Sequence, residues 1–532
     1  MKQSAFAGTG TLVRLYIRRD RFLLPVWVLL PLLITMGQAN FVTSLPDWQS
    51  FVAELNANPL AVSFIGPVAP MNLAGAIIWR SSIQGIMAVI IGSLLTVIRH
   101  TRTEEEKGRS ELICGGMVGR HAALTAALVL TCSASVVAGL LPAFALIGQG
   151  LPAGGSILLG LTMAAAGCFF AGIGALSAQL REHAGSARGI AFAIFGIGFL
   201  LFIWNNIGGS YTGWAWLAPL SWHRITRPFD GDRGWALIVF AILSAIPIIM
   251  AYRLSIRRDL GSGIFHPRLG PAEASAGLSS PLALAWRMHK AAVISWTVGL
   301  IYLGFGIGVG VPSVSNNVSE MMPGSNVNNW LQTMGGVQEA FLAMCIYIIA
   351  LLVGVSIFSI ITVLRLRKEE ADNLVEPILA KPISRVRWMA SHLAIAFAGS
   401  AFLLLMLGLA TGMGWGVATG DIGSVLPKVI LMSVSKIPSV WVMIGIVSIL
   451  YGLIPKASSI ISWGLLGLFV VIEMAWEFQL VDWSVMKLTP MAYAHYSIPV
   501  SQLPVLPLFG LTCLAGIFTY IGMLGFKRRS IF

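Results

Sequence analysis

Charged residues are scarce in this 532-residue chain. Asp, Glu, Lys and Arg make up 11% of it, whereas an average soluble domain has about 25%. The residues AVILMFWYC account for 56%, and 57 glycines come in addition. This composition excludes a soluble enzyme and a disordered chain. It indicates an integral membrane protein that crosses the bilayer several times.

Motifs for chemistry are lacking too. The five cysteines show no CxxC or metal-ligand spacing, so we interpret them as small apolar residues and not as a disulfide framework or a metal site. The eight histidines are scattered, and neither HExxH nor GxSxG occurs. The nucleotide-binding sequence GxxxxGK(S/T) is missing as well. We therefore predict that the chain is not an enzyme by itself and holds no cofactor.

Long apolar runs are what the sequence does contain. A bilayer-spanning helix needs about 20 apolar residues, and twelve uncharged runs reach a suitable length. We therefore predict an all-α polytopic membrane protein with twelve transmembrane helices. The runs lie near residues 22–39, 80–98, 121–148, 156–180, 189–208, 235–253, 291–311, 341–364, 389–413, 429–454, 460–477 and 505–526.

The net charge of +13 is explained by orientation in the membrane. If the amino terminus is inside, 28 of the 35 lysines and arginines fall on the inner side, where such residues collect. The distribution predicts that both termini are cytoplasmic, and we expect no nucleic-acid partner. The seven exceptions are Arg80, Arg224, Arg227, Arg233, Lys428, Lys436 and Lys487.

The two halves of the chain repeat each other at an offset of 265 to 271 residues. The matched positions are Leu15, Arg18 and Trp27 with Leu284, Arg287 and Trp296; Arg102, Glu104, Glu105, Glu111 and Arg120 with Arg367, Glu369, Glu370, Glu376 and Arg385; and Leu217 and Pro219 with Leu488 and Pro490. Because each half has six spans and starts inside, we predict parallel repeats with pseudo-twofold symmetry about the membrane normal. The predicted parts are residues 1–253, a cytoplasmic linker at 254–283, and residues 284–532.

The densest charge runs follow the second span of each half. We name them the first charged loop, residues 99–121, and the second charged loop, residues 365–388. Both begin with basic residues, pass through a glutamate pair and end on arginine. A merely solvated turn that follows the positive-inside rule predicts the basic residues but not the aligned glutamates. We therefore favour a short interfacial helix with acidic residues in its first turn and an apolar face (Leu112, Ile113; Ile378, Leu379) for a partner's groove.

These loops resemble those of ABC-2 type transporter permeases. The resemblance is clearest at Glu376-Pro377-Ile378-Leu379 and Lys381-Pro382-Ile383-Ser384-Arg385. The first half keeps Gly108, Arg109, Glu111 and Arg120, but departs at Met117-Val118-Gly119, where the family usually has Pro and Ser or Thr. The fused six-plus-six layout is similar to that of antibiotic exporter permeases of the polyketide, tetronasin and tetracycline group.

The resemblance implies the permease subunit of an ATP-driven exporter of antibiotics or other hydrophobic drugs in the bacterial plasma membrane. It implies an elbow helix before each half (about 5–20 and 280–290) and short re-entrant helices near Pro219 and Pro490. It implies that a separate ATPase homodimer, which binds ATP and Mg, drives alternating access by docking on the charged loops. The implied coupling residues are Arg102, Glu104, Glu105, Gly108, Glu111, Arg120, Arg367, Glu369, Glu370, Glu376, Pro382 and Arg385.

Charges inside or beside the spans are the candidates for a substrate path, because an intramembrane charge costs about 2.5–3.5 kcal/mol on insertion scales. Lys436 lies about eight residues into its predicted span, and we expect it to face a polar cavity. Arg80 begins the second predicted span and is expected to snorkel outward. Glu473 and Glu477 close the eleventh span, where placement at the outer interface is the simpler interpretation and a proton or cation role the alternative.

Two other functions are compatible with the sequence. A proton-driven carrier of the major facilitator type is also built from six plus six spans, but its usual GxxxDRxGRR-like loop is replaced here by Glu-Glu-Glu-Lys-Gly-Arg. The third interpretation is a membrane protein of assembly or signalling that transports nothing. Transport that survives ATP depletion would favour the carrier, and the lack of any ATPase partner would favour the third.

Overall fold

The computed structural model describes residues 5–45, 47–57, 62, 65–110, 118–207, 213–259, 261–265, 273, 276–313, 334–477 and 481–529. Its regular elements are helices, and these residues form no β-strand. Contacts divide the chain into two compact units, Met1–Gly270 and Pro271–Phe532.

Helices α1 to α10 belong to the first unit. They are α1 Thr9–Arg19, α2 Leu23–Ser44, α3 Trp48–Ala57, α4 Leu73–His100, α5 Arg102–Glu106, α6 Ala122–Gly148, α7 Ala153–Leu180, α8 Ala184–Ile207, α9 Trp222–Thr226 and α10 Ala236–Arg257. Two 3₁₀ turns, Gly213–Leu217 and Pro219–Ser221, precede α9. Helix α7 is central, since it packs against α4, α6, α8 and α10.

Helices α11 to α20 belong to the second unit. They are α11 Pro281–Gly310, α12 Val337–Tyr347, α13 Val355–Ala371, α14 Glu376–Leu379, α15 Arg385–Thr419, α16 Ile422–Val434, α17 Ile437–Leu453, α18 Pro455–Glu477, α19 Trp483–Met486 and α20 Val505–Arg528. A π-helical stretch, Ile348–Val353, joins α12 to α13, and 3₁₀ turns lie at Ala276–Leu278, Val311–Ser313, Ala492–Ala494 and Val500–Gln502. The closest pairs are α11 with α15 and α17 with α20.

The predicted twelve spans are confirmed by the helices of the described residues that are long and apolar enough to cross a membrane. In the first unit they are α2, α4 continued by α5, α6, α7, α8 and α10. In the second unit they are α11, α12 continued by α13, α15, α16 continued by α17, α18 and α20. The chain is thus an all-α polytopic membrane protein.

Glycines allow a close helix contact between α17 and α20 in the second unit. A Cβ atom added to Gly452 of α17 would collide with the carbonyl oxygen of Gly522 in α20, and one added to Gly522 would collide with Ser448. Small residues at such crossings let backbones approach closely, which favours van der Waals packing between membrane helices.

Among the described residues, a separate elbow helix precedes the first span of the first unit but not that of the second. Helix α1 is separate from α2, because Pro25 has no N–H to donate to the carbonyl of Arg21 and a continuous helix would lack that bond. In the second unit the expected elbow at 280–290 is wrong: these residues form the first turns of α11, which runs unbroken to Gly310. At an offset of 269 residues, Ile294 stands where the first half has Pro25.

Candidate functional site

Arg102 of the first charged loop is committed to contacts within its own unit. Its side chain is fully buried and its Nη1 donates to Glu105 Oε2 at 2.6 Å. Its Nε donates to the carbonyl of Glu182, and its Nη2 and Nη1 donate to those of Gly261 and Ser262, at 2.6 to 2.9 Å. Arg102 therefore joins the loop to the start of α8 and to the segment after α10.

The two glutamates that follow are also paired internally. Glu104 is buried and meets Arg19 of the elbow helix α1 at 2.6 Å, with Arg109 at 3.8 Å. Glu105 binds Arg102 and, through both carboxylate oxygens, Arg258 beyond α10. The first charged loop is thus fixed to both ends of its unit's described chain.

Gly108 and Arg120 shape the rest of this loop. Gly108 has φ +68°, in the left-handed region, and ends the short helix α5 with a turn. Arg120 donates to the carbonyls of Ser255 and Ile256 in the last turn of α10. A cationic donor is favourable there, because the last carbonyls of a helix lack intrahelical partners. Glu111, with Leu112 and Ile113, lies outside the described residues.

The second charged loop repeats this pattern with other partners. Glu369 is buried, meets Arg365 at 2.9 Å and lies 3.8 Å from His392. Glu370 binds Arg529 at 2.5 Å and accepts a hydrogen bond from the Tyr451 hydroxyl at 2.8 Å. Arg385 donates to the carbonyl of Arg529 at 2.7 Å. Arg367 is half-buried.

Part of the second charged loop remains accessible. Helix α14 exposes Glu376 and Pro377, the following turn exposes Pro382, and Leu374 just before α14 is 58% exposed. A groove of about 770 Å³ runs beside this surface. It is lined by Glu376, Pro377, Leu379, Ala380, Ile383, Ser384 and Arg385.

Two expectations for the charged loops need correction. Arg102, Glu104 and Glu369 have their charges buried within this chain, so they cannot be the groups that touch a partner in this conformation. Ile378 and Leu379 pack against the unit's hydrophobic core and do not form a free apolar face. The sequence showed which charges repeat, but the directions of Glu104, Glu105 and Glu370 depend on partners that are 85 to 159 residues away. These partners are Arg19, Arg258 and Arg529.

An acidic residue that sequence reasoning missed supports the elbow. Asp20, at the end of α1, lies 2.7 Å from His100 Nε2 and 3.0 Å from Arg99. Burial raises the pKa of this carboxyl, but the hydrogen bond with His100 and the charges of His100, Arg99 and Arg19 outweigh burial and hold the pKa below its ordinary value. Its signal in the sequence was a lone acid within Arg18-Arg19-Asp20-Arg21.

Arg80 does not begin its helix as the sequence suggested, whereas Lys436 lies within its span as expected. Helix α4 begins at Leu73, so Arg80 lies in its third turn and not at its start; its side chain is exposed. Lys436 is 2% exposed and lies at the junction of α16 and α17. Pro438 explains this junction, because it cannot donate a hydrogen bond to the carbonyl of Val434.

Glu473 is buried in a polar cluster near the end of α18, and its placement at the outer interface stays a prediction. Its Oε2 accepts from the Tyr347 hydroxyl at 2.5 Å, and its Oε1 lies 2.9 Å from His495 Nε2. The backbone N–H of Ser497 donates to His495 Nδ1, so the proton of the imidazole lies on Nε2 and is donated to Glu473. The side chain of Glu477 lies outside the described residues.

Aromatic rings enclose this cluster. The His495 ring lies 4.9 Å from that of Trp476, 5.1 Å from Trp483 and 4.1 Å from Tyr496, measured between centroids. The cluster therefore ties the end of α18 to α12 and to the segment before α20. Sequence reasoning missed this cluster, since it treated His495 only as one of eight scattered histidines.

Comparison with known proteins places this architecture in a family. Residues 278–527 match the model described as multidrug efflux system permease Rv1217c, C-terminal domain. Across 535 residues the chain is 34% identical to the multidrug efflux system permease protein Rv1217c of Mycobacterium tuberculosis (strain ATCC 25618 / H37Rv), with 99% of this chain and 96% of that protein covered. Such a permease is a component of a transport system and not an enzyme. The chain therefore belongs to the family of multidrug efflux permeases that includes Rv1217c.

Proposed function

We propose that this permease is driven by a separate ATPase that docks on the accessible part of the charged loops. The observation that carries the proposal is helix α14, which is exposed on one side while the rest of its loop is held by internal ion pairs. A rigidly held, outward-facing element is suited to receive a partner and to pass a displacement on to the helices behind it.

The surface around α14 defines the chemistry of the partner. Leu374 offers an apolar contact, Glu376 a negative charge at the helix N-terminus, and the groove beside them a slot for one large side chain. A partner with a basic residue next to an apolar ridge would complement it. In the first charged loop the corresponding stretch includes Glu111, which lies outside the described residues. The argument for a docking surface therefore rests on the second charged loop.

The energy source follows from what the chain lacks. Without a GxxxxGK(S/T) sequence, ATP and Mg would be bound by the partner. Two charged loops in one chain favour two ATPase copies, and movement of the loops would switch the two halves between inward- and outward-facing access. The substrates would be drugs of more than one kind, as the word multidrug in the relative's name suggests, and we propose that they are hydrophobic. The protein would lie in a bacterial plasma membrane with both termini in the cytoplasm.

The test is ATP hydrolysis by the permease co-purified with its ATPase. We expect Leu374→Asp combined with Glu376→Lys to abolish drug-stimulated hydrolysis and retention of the ATPase. Glu273→Lys, which makes the same charge change as Glu376→Lys at an exposed position after the first unit, is the control and should leave both unchanged. Undiminished drug-stimulated hydrolysis in the double variant would contradict the docking site.

Transport into inverted vesicles that contain the permease and its ATPase distinguishes ATP-driven from proton-driven transport. We expect drug uptake into inverted vesicles to require ATP and to persist when an uncoupler collapses the proton gradient. Uptake that needs the gradient and no ATP would refute the proposal in favour of a carrier of the major facilitator type.

A further inference from the structure

Each unit ends in a basic cluster whose members differ in environment. Arg257 at the end of α10 and Arg528 at the end of α20 are exposed. The next residues, Arg258 and Arg529, turn inward, with side chains 6% and 15% exposed. The positive-inside rule accounts for the presence of such residues but not for which of them is buried.

In the first unit, Arg258 meets the first charged loop. Its Nη2 and Nη1 donate to Glu105 Oε1 and Oε2 at 2.6 and 2.8 Å, and its Nε donates to Gln179 of α7 at 2.6 Å. This two-point arginine–carboxylate geometry fixes direction as well as distance. Arg120 then caps the carbonyls in the last turn of α10, so loop and helix end are joined at two places.

In the second unit, Arg529 makes the equivalent contacts. Its Nη2 meets Glu370, and its backbone carbonyl accepts from Arg385. Its guanidinium also lies 4.8 Å from the ring centre of Tyr451 and 5.1 Å from that of Phe526. Loop and helix end are again joined at two places.

The two sets of contacts use corresponding residues of the repeat. Glu105 corresponds to Glu370 and Arg120 to Arg385 at an offset of 265, and Arg258 corresponds to Arg529 at an offset of 271. The left-handed turn after each glutamate also corresponds, with Gly108 at φ +68° and Asn373 at φ +56°. An ion pair between corresponding residues, an arginine–carbonyl contact at the end of the last helix and a left-handed turn thus occur in both units, since Arg120 also donates to the carbonyl of Arg258 at 3.4 Å.

We propose that Arg258 and Arg529 are positioning residues for transport. Together with Glu105 and Arg120, or with Glu370 and Arg385, each forms a clasp that fixes its charged loop to the end of the unit's last membrane helix. Displacement of the loop is thereby passed directly to that helix. Which partner displaces the loop rests on the proposed function, whereas the contact between loop and helix does not.

The experiment is a double-mutant cycle on drug transport by the full-length protein with its energy source in proteoliposomes. The variants are Glu370→Gln, Arg529→Gln and the two combined, with Arg528→Gln as the exposed neighbour of equal charge. We expect each single clasp variant to lower the transport rate about tenfold, the combined variant to be no slower than the slower single one, and Arg528→Gln to match the parent. ATPase retention should stay at the parent level in every variant.

Three results would overturn the clasp: parent-level transport by the single variants, effects of the two changes that multiply in the combined variant, or an equal loss in Arg528→Gln. If Arg529→Gln does not yield a folded protein, Arg529→Lys keeps the charge but loses the planar fork, and a transport rate between parent and Glu370→Gln is then required. The proposed function is tested separately. If the parent protein transports drug on a proton gradient alone, the proposed ATPase partner is refuted, but the double-mutant cycle still tests whether loop and helix act through the clasp.

Discussion

Removal of the Glu473 carboxylate should destabilise the second unit, and the fluorescence of nearby tryptophans should report the loss. In Glu473→Ala the Tyr347 hydroxyl and the His495 Nε2–H, both buried, lose the acceptor that they share. Neutral hydrogen bonds between membrane helices contribute on average about 0.6 kcal/mol. Bonds to a charged group contribute about 1.5–3 kcal/mol each. With two donors left unpaired, we expect a loss of about 2–4 kcal/mol in the free energy of unfolding.

The assay is equilibrium unfolding in mixed micelles, followed by tryptophan emission. Trp476 and Trp483 lie against His495, so release of the cluster changes their surroundings directly. Glu339→Ala is the control, because Glu339 pairs with Lys428 at 3.1 Å while the two side chains are 18% and 41% exposed. Such a pair contributes about 0–1 kcal/mol.

Substitution by glutamine tests the same reasoning more finely. The amide of Glu473→Gln has one acceptor oxygen in place of two, so one of the two donors would face an N–H group. We expect a loss smaller than that of Glu473→Ala but larger than that of Glu339→Ala. Unfolding free energies of Glu473→Ala and the parent that agree within about 0.5 kcal/mol would refute the view that this cluster stabilises the unit.

Two further predictions concern packing and pH. Gly452→Ala should lower the unfolding midpoint by the equivalent of about 1–3 kcal/mol, because the clash with Gly522 outweighs the roughly 1 kcal/mol by which Ala favours a helix. Gly464 has open space around it, so Gly464→Ala should not lower the midpoint, and equal midpoints for the two variants would contradict the close contact. The pKa of Asp20 lies below its ordinary value in the folded chain, so Asp20 stabilises the fold above about pH 4 and loses this effect as the pH falls further. When the unfolding midpoint is plotted against pH, Asp20→Asn should flatten the curve in this range, whereas Asp372→Asn, at an exposed position, should not. Parallel curves for Asp20→Asn and the parent would count against the pairing of Asp20 with His100.

Local pattern was enough to predict the spans and the charged loops. Apolar runs of bilayer length set the number of membrane helices, since few other structures satisfy the backbone in lipid. The repeat identified Glu105, Glu370, Arg120 and Arg385 as special. Helix ends were less predictable, because α4 and α13 continue through charged residues that pair with partners elsewhere in the unit.

Side-chain direction could not be predicted, since it depends on residues distant in sequence. Glu473 meets Tyr347 from 126 positions earlier, and Arg529 meets Glu370 across 159. A single sequence shows that a glutamate ends a span, but not that a histidine and a tyrosine converge on it. A separate elbow was wrongly predicted in the second half for a simpler reason: the match of Arg and Trp between the halves concealed the exchange of Pro25 for Ile294.

The break between α1 and α2 near Pro25 makes the two halves differ in how they can meet the bilayer surface. Helix α1 buries Leu12 and Tyr16 against its unit and leaves Leu15 and Ile17 about half exposed, which is the pattern of an amphipathic helix suited to lie along a lipid surface. Because Arg19 pairs with Glu104 and Asp20 with His100, a thinner or more anionic leaflet that acts on α1 would also act on the first charged loop. In the second half the corresponding residues form the first turns of the continuous helix α11. Lipid composition should therefore tune the first half of the permease more readily than the second.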